Sequence, residues 1–202
     1  MSGDNSTPDI SSQLSSISKP ALQRLAHVAG VKTISSTVFQ VLREALHKYL
    51  ERVLTQATKM MANSRRKTIM VPDIVHSIGQ IPERYAKTDF INHNEKIKRC
   101  KVFASTETIQ VRGEKSLAEI QYYQGQTDCV HFSKSAFTRL VHRLLADIRI
   151  ASNAVSLLQF ATEFYLITVL ENAKLVAQHA NRTTVIDKDI ELVLKMINQC
   201  IE

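Results

Sequence analysis

Two stretches of this chain, residues 37–63 and 153–180, contain neither proline nor glycine, and each is long enough for about seven helical turns. In the first, Val38, Leu42, Ala45, Tyr49, Val53, Ala57 and Met60 recur every three or four residues, with Phe39, Leu46, Leu50, Leu54 and Met61 in a second row beside them. Arg43, Glu44, Lys48 and Arg52 keep the remaining side wet. In the second, the row Ala154, Val155, Leu158, Ala161, Tyr165, Val169, Ala173, Val176 and Ala180 is flanked by Leu157, Phe160, Phe164, Leu166, Ile167 and Leu170. That helix is expected to be buried nearly all round. Two short neighbours cannot cover so wide an apolar surface, so each long helix needs a partner. The other half of the chain is the obvious one.

The flanks repeat as well. A helix at about 19–29 carries Leu22, Leu25, Ala26 and Ala29; Ser18 caps it, Pro20 sits in its first turn and Gly30 closes it. Thr37 and Gln40 have capping-box spacing at the start of the first long helix. After a basic turn, Pro72 begins a short helix that Gly79 ends. In the second half, Phe137, Leu140, Val141, Leu144 and Leu145 mark a helix at about 133–146, and a last one spans about 187–199. A further helix at about 114–124 lies upstream of these. The plan is short, long, short, twice over.

The second loops repeat in detail. "ANSRRKTIMVPDI" (62–74) and "HANRTTVIDKDI" (179–190) superpose so that Arg66 meets Arg182, Thr68 meets Thr184, Asp73 meets Asp189 and Ile74 meets Ile190. Residues 1–101 hold 16 Lys/Arg against 8 Asp/Glu, and the remainder 10 against 11. A basic half points to a polyanion, with an anionic membrane surface as the rival. No uninterrupted apolar run reaches the ~18 residues of a membrane span. Cys100, Cys129 and Cys200 lack metal-ligand spacing, Cys129-Val-His131 is too short and isolated to suggest zinc, and no cofactor is expected. The odd cysteine count, with no signal peptide in view, fits a reducing interior. With no Gly-rich phosphate loop and no nucleophile beside a base, enzymatic chemistry is not expected; His179 near Asp189 is the one suggestive pair.

At this point the sequence resembles the core histones, and more specifically two of them in one chain. Residues 19–79 resemble histone type four, through "KPALQRLAHVAGVKTIS" and "RRKTIMVPDIV". Residues 113–198 resemble histone type three, through "FTRLVHRLLADI", "NAVSLLQFATEFYLITVLENAKLVAQHANRTTVIDKDIELV" and, more faintly, "LAEIQYYQ". The resemblance covers about three quarters of the chain. It implies an all-α chain of two histone folds in an intrachain handshake, a fused pseudodimer. Fused histones of certain giant DNA viruses (marseillevirus-like) are similar, which suggests a viral protein located in the virion and in the host nucleus or viral factory; for a chain that is not viral the expected location is nuclear chromatin. The expected organisation is a Ser-rich disordered segment 1–17, a type-four unit 18–79, a connector 80–112 and a type-three unit 113–202.

The resemblance also implies the chemistry. In a handshake the first loop of one unit lies beside the second loop of the other. One end then combines Arg149 with Arg65, Arg66, Lys67 and Thr68; the other combines Lys32 with Arg182 and Thr184. By resemblance Arg149 enters the minor groove of duplex DNA, while Lys19, Arg24, Lys134 and Arg139 serve contacts near the first helices. Such a surface reads charge and groove shape rather than bases. Thr33 stands where the type-four family has a minor-groove arginine, Ala118 and Tyr122 replace two arginines of the type-three upstream helix, and Lys19 is the first basic residue, so fewer phosphate contacts are expected. Lys96, Lys98, Arg99 and Lys101 of the connector could add some, or be a solvated linker. A second copy is expected to join through His179, Arg182, Asp189 and Leu192, with an intrachain Arg182–Asp189 pair as the alternative use of those side chains. The other histone pair, types two-B and two-A, is a further expected partner. The competing function is a histone-fold scaffold in a transcription or chromatin complex, for which weakened basic loops would be expected.

Overall fold

The computed structural model describes residues 17–80, 98–101, 112–126 and 129–199. Among them the helices are α1 (Lys19–Val28), α2 (Val38–Asn63), α3 (Val71–Gln80), α4 (Arg112–Gln124), α5 (Lys134–Leu145), α6 (Ser152–His179) and α7 (Asp187–Gln199). Six two-residue strands join the loops in parallel pairs: β1 (Thr33–Ile34) with β6 (Thr184–Val185), β2 (Thr68–Ile69) with β5 (Arg149–Ile150), and β3 (Lys98–Arg99) with β4 (Cys129–Val130).

The long helices α2 and α6 form the centre. Since β1 precedes α2 and β6 follows α6, while β2 follows α2 and β5 precedes α6, the two must run antiparallel. They cross near their midpoints, where the Tyr49 and Tyr165 rings stack at 4.3 Å and 9°. Besides its own α3, α2 packs against α5 and α7; α6 packs against α1 and α3 as well as its own α5 and α7. Neither half has a core of its own. Leu22, Leu42, Leu50, Ile69, Ile74, Phe137, Leu158, Leu166, Leu170 and Ile190 all lie in one cluster with essentially no exposed surface. Leu22, Leu42, Leu50, Phe137, Leu158, Leu166 and Leu170 belong to the apolar rows foreseen from the helical period, and Ile69, Ile74 and Ile190 join them from the second loops and last helices, so the rows of the two long helices are buried in one shared core.

Local details differ from expectation. Ser18 and Thr37 make no side-chain cap. Ser18 is extended and serves through its carbonyl, which accepts from the Ala21 and Leu22 N–H groups. Thr37 is already helical in φ/ψ, which points its hydroxyl away from the orphan N–H groups, and Gln40 donates to Glu44 instead. Gly30 does close α1, at φ +74, but α3 runs through Gly79. Ile17, assigned to the disordered segment, is 2% exposed in the core, and the Arg43 guanidinium donates twice to its carbonyl at 3.2 Å, so Arg43 is not on a wet face. Residues 1–16, Lys96 and Cys200 lie outside the described residues. By averaged hydropathy α6 is long and apolar enough to cross a membrane, contrary to the expectation from uninterrupted runs; 61% of that window is buried inside the protein. Its burial is not complete all round: Leu157, Phe160, Phe164 and Ile167 are half-buried, and Leu175 is 61% exposed.

A buried polar knot ties the segment between β4 and α5 to α6. Glu163 on α6 accepts from the His131 and Phe132 backbone N–H groups at 2.7 and 2.9 Å and from Gln159 at 3.1 Å. Burial pushes its carboxyl up to about 7, against the pull of those donors and of Arg24. Gln159 donates also to the Phe132 carbonyl, and Arg24 on α1 donates to that of His131 at 3.1 Å. Burial first, and the Arg24 charge second, hold the His131 imidazole down at about 4.

Candidate nucleic-acid interface

The paired loops sit at the two ends of the handshake. At one end Thr68 lies opposite Arg149 and Ile69 opposite Ile150, and the Ala151 N–H donates to the Ile69 carbonyl at 3.0 Å. At the other, Thr33 lies opposite Thr184 and Ile34 opposite Val185, and the Ser35 N–H donates to the Val185 carbonyl at 3.0 Å. The Thr33 hydroxyl donates to the Thr183 carbonyl and accepts from the Thr184 hydroxyl. Two rungs suffice to lock each loop because the helices on both sides are already held by the core.

The repeated Arg-x-Thr turn has a structural cause. Each long helix ends with a residue in the left-handed region, Arg65 at φ 51 and Asn181 at φ 55. The next N–H then reaches back across the last turn, from Arg66 to Met61 and from Arg182 to Ala177. That reversal turns the arginine toward the following short helix. Arg66 grips Asp73 with two hydrogen bonds, 3.0 and 2.6 Å, and Arg182 grips Asp189 with two, 3.2 and 2.8 Å. Each aspartate also accepts from the backbone N–H three residues before it, Met70 at 2.8 Å and Ile186 at 3.0 Å, and so closes its helix's first turn. Both carboxylates are nearly fully buried. Burial raises their pKa values, but the arginine and backbone donors outweigh it and hold Asp73 and Asp189 below the ordinary carboxylate range.

The basic residues expected at the interface therefore divide. Lys19, Lys32, Arg65, Lys67, Lys134, Arg139 and Arg149 are exposed. Lys19 lies with its ammonium 4.9 Å from the Phe39 ring centroid, and Arg139 donates to the Ser135 carbonyl of its own helix. Arg66, Arg182 and Arg24 each have a partner inside the chain, which accounts for their presence without any ligand. Arg66 and Arg182 keep more than a third of their side-chain surface in water. Arg24, on the outer helix expected to touch DNA, is half-buried on His131. The Arg182–Asp189 pair is the intrachain alternative that the sequence offered, whereas its counterpart Arg66–Asp73 was not foreseen, although the same repeat carries an aspartate seven residues after each arginine.

Of the side chains expected to join a second copy, His179 is exposed and Leu192 is 43% exposed, while Asp189 is 3% exposed with both oxygens engaged in its own chain. The intrachain use of Arg182 and Asp189 is thus realised. Leu175 (61%) and Met196 (54%), one turn from His179 and Leu192, add exposed apolar surface on the same two helices that the sequence reading did not single out. A separate cluster, Cys100, Cys129 and His131, is assembled at the third rung, where β3 meets β4.

Comparison with known proteins finds a family model in each half of the chain. Residues 112–196 match the family model of the core histone domain, which takes in histones of types two-A, two-B, three and four. Residues 14–79 match that of the TATA box binding protein associated factor (TAF). The histone H3-like centromeric protein cpar-1 of Caenorhabditis briggsae is 36% identical over 91 residues, 42% of this chain and 26% of that protein, so the chain spans about a quarter of that relative. The crystal structure of the histone from Methanopyrus kandleri superposes with a TM-score of 0.57 at 16% identity, over 88% of this chain and 92% of that one. At that identity the likeness speaks to fold alone, and its coverage takes in both halves.

Proposed function

On the premise that this is an all-α, histone-fold protein, we propose that it is an architectural DNA-packaging protein: a fused type-four/type-three pseudodimer that wraps duplex DNA without sequence preference. One observation carries the reading. At each end of the handshake a parallel rung joins loops from both halves, and exposed cations flank it: Arg65, Lys67 and Arg149 at one end, Lys32 at the other. Paired loops of this kind present backbone N–H groups and cations to adjacent phosphates. The units are residues 18–79 and 113–202, with 80–112 connecting them. Two copies would associate through the exposed surface of Leu175, His179, Leu192 and Met196 to form the central, tetramer-like core of a nucleosome-like particle. The second histone pair, types two-B and two-A, would complete it. The working location is the virion and the host nucleus or viral factory.

The TAF match on residues 14–79 supports a second reading, a histone-fold scaffold in a transcription complex. The internal commitment of Arg24, Arg66 and Arg182 favours it, since fewer cations remain for phosphate. Titration of the protein with random-sequence duplex DNA at several salt concentrations separates the two. Packaging requires tight binding whose log–log salt slope falls in magnitude by about 0.9 for each of Arg65, Lys67 and Arg149 replaced by alanine. Weak binding with a slope unaffected by all three variants would support the scaffold, and a nuclease-protection ladder on the reconstituted complex would give the wrapped length.

A further inference from the structure

The chain's three cysteines show no metal spacing, yet tertiary structure brings two of them to one histidine. The β3–β4 rung sets Lys98 opposite Cys129 and Arg99 opposite Val130, and the Cys100 N–H donates to the Val130 carbonyl at 2.9 Å. That contact delivers Cys100, from the segment between the two histone folds, to the Cys129-Val-His131 turn. The Cys100 and Cys129 sulfurs and a His131 ring nitrogen all lie within 4.8 Å of one another. A fourth donor faces them: the Gln126 side-chain oxygen is 2.7 Å from the Cys100 Sγ and 3.6 Å from the Cys129 Sγ.

We propose that Cys100, Cys129 and His131, with Gln126 or a water as fourth ligand, form a structural zinc site that staples the connector to the type-three half. Two thiolates, one imidazole and one oxygen are a ligand set that Zn²⁺ accepts in a tetrahedron, with Zn–S about 2.3 Å and Zn–N about 2.0 Å. Those lengths put the sulfurs about 3.8 Å apart. Side-chain adjustment of about 1 Å from the present spacing therefore closes the shell. An independent observation points the same way. His131 is 4% exposed and its Nδ1 is buried with no hydrogen-bond partner, a cost that a metal ion ligated through Nδ1 would relieve. The residue is held in place, with Tyr123 edge-on to its ring at 5.9 Å and its backbone N–H and carbonyl engaged by Glu163 and Arg24. Cys100 is buried, and Cys129 is half-buried.

The charges balance. Two thiols lose their protons to solvent and the thiolates neutralise the dication, so a site beside the Arg24 guanidinium gains no net positive charge. A Cys100–Cys129 disulfide is the rival use of the same sulfurs. It would consume an oxidant and would leave the His131 nitrogen without a partner. In either case the site belongs to the third rung rather than to the paired loops, and it does not depend on the DNA-packaging reading.

The test uses the full chain, purified under reducing conditions, stripped with chelator and titrated with Zn²⁺ and, separately, with Co²⁺. One zinc should bind per chain, and cobalt should give thiolate charge-transfer absorption in the near ultraviolet together with tetrahedral d–d bands. Cys100→Ser and His131→Ala should each weaken binding by more than about 100-fold, beyond what an outer-shell change costs, while Cys200→Ser should not. A measurement on the unaltered chain covers variants that fail to fold: zinc should protect Cys100 and Cys129, and not Cys200, from alkylation read by mass spectrometry. Failure to retain zinc at micromolar concentration, undiminished binding by Cys100→Ser, equal protection of all three cysteines, or a mass lighter by two hydrogens with both thiols lost would overturn the assignment.

Discussion

The Tyr49–Tyr165 stack is where the handshake can be put to a quantitative test, because it joins the midpoints of the two long helices and belongs to neither half. Both rings are buried, at 5% and 8% exposure, and they lie 4.3 Å apart at an interplanar angle of 9°. Replacing Tyr49 by alanine removes one ring from a packed crossing. Large-to-small aromatic changes in cores cost about 3–5 kcal/mol, and an aromatic pair adds about 0.5–1.5 kcal/mol beyond the area it buries. Against a total of about 5–15 kcal/mol for a typical domain, Tyr49→Ala should take roughly a quarter or more of the stability. Urea unfolding followed by far-ultraviolet circular dichroism and by tyrosine fluorescence, in a chain without tryptophan, should show one coincident transition with a lower midpoint and an unchanged slope. The double variant with Tyr165→Ala should cost less than the sum of the singles by about 1 kcal/mol. Two separated transitions, or a coupling indistinguishable from zero, would mean that the halves do not share this crossing, and the handshake would have to be abandoned.

Three further outcomes follow from the clamps and the exposed surfaces. Asp73→Ala removes three hydrogen bonds to a buried carboxylate and exposes an unsatisfied Met70 N–H, so it should cost about 2–3 kcal/mol in denaturant titration, moderated by the partly exposed Arg66; a loss under about half a kcal/mol would show the clamp to be ornamental. Asp73 and Asp189 have folded pKa values below their ordinary 3.8, so their contribution is complete above that pH and is lost as pH falls through the lower folded values; the double Asn variant should flatten the stability curve below about pH 4 and leave its shape near neutrality unchanged, as acid titrations will reveal. His179→Ala combined with Leu192→Asp should convert two-copy assemblies into folded single chains in sedimentation at moderate salt, and an unmoved assembly size would locate the interface elsewhere.

Helix placement was legible from the linear chain because the signals are local. Apolar residues repeating every 3.6 positions mark Leu42, Leu50, Leu158 and Leu166 as core whatever surrounds them, and the sparse Gly and Pro leave few places for a helix to stop. Each helix boundary therefore fell within a residue or two of its expected position, while the pairing of loops was implied by the resemblance to histones and not by the apolar pattern. The assignment of individual polar side chains did not follow. Whether Arg66 meets a phosphate or Asp73 depends on the left-handed turn at Arg65, a residue with no glycine to announce it. Whether Arg24 faces solvent depends on where His131, 107 residues away, is carried by the chain. Likewise Cys100 and His131 acquire a shared use only when β3 lies beside β4. Periodicity says which face of a helix turns inward, but it carries no information about which distant backbone arrives there. Hydrogen bonds and metal ligation depend on ångström distances and directions, and those exist only after the core has set the paths of the loops.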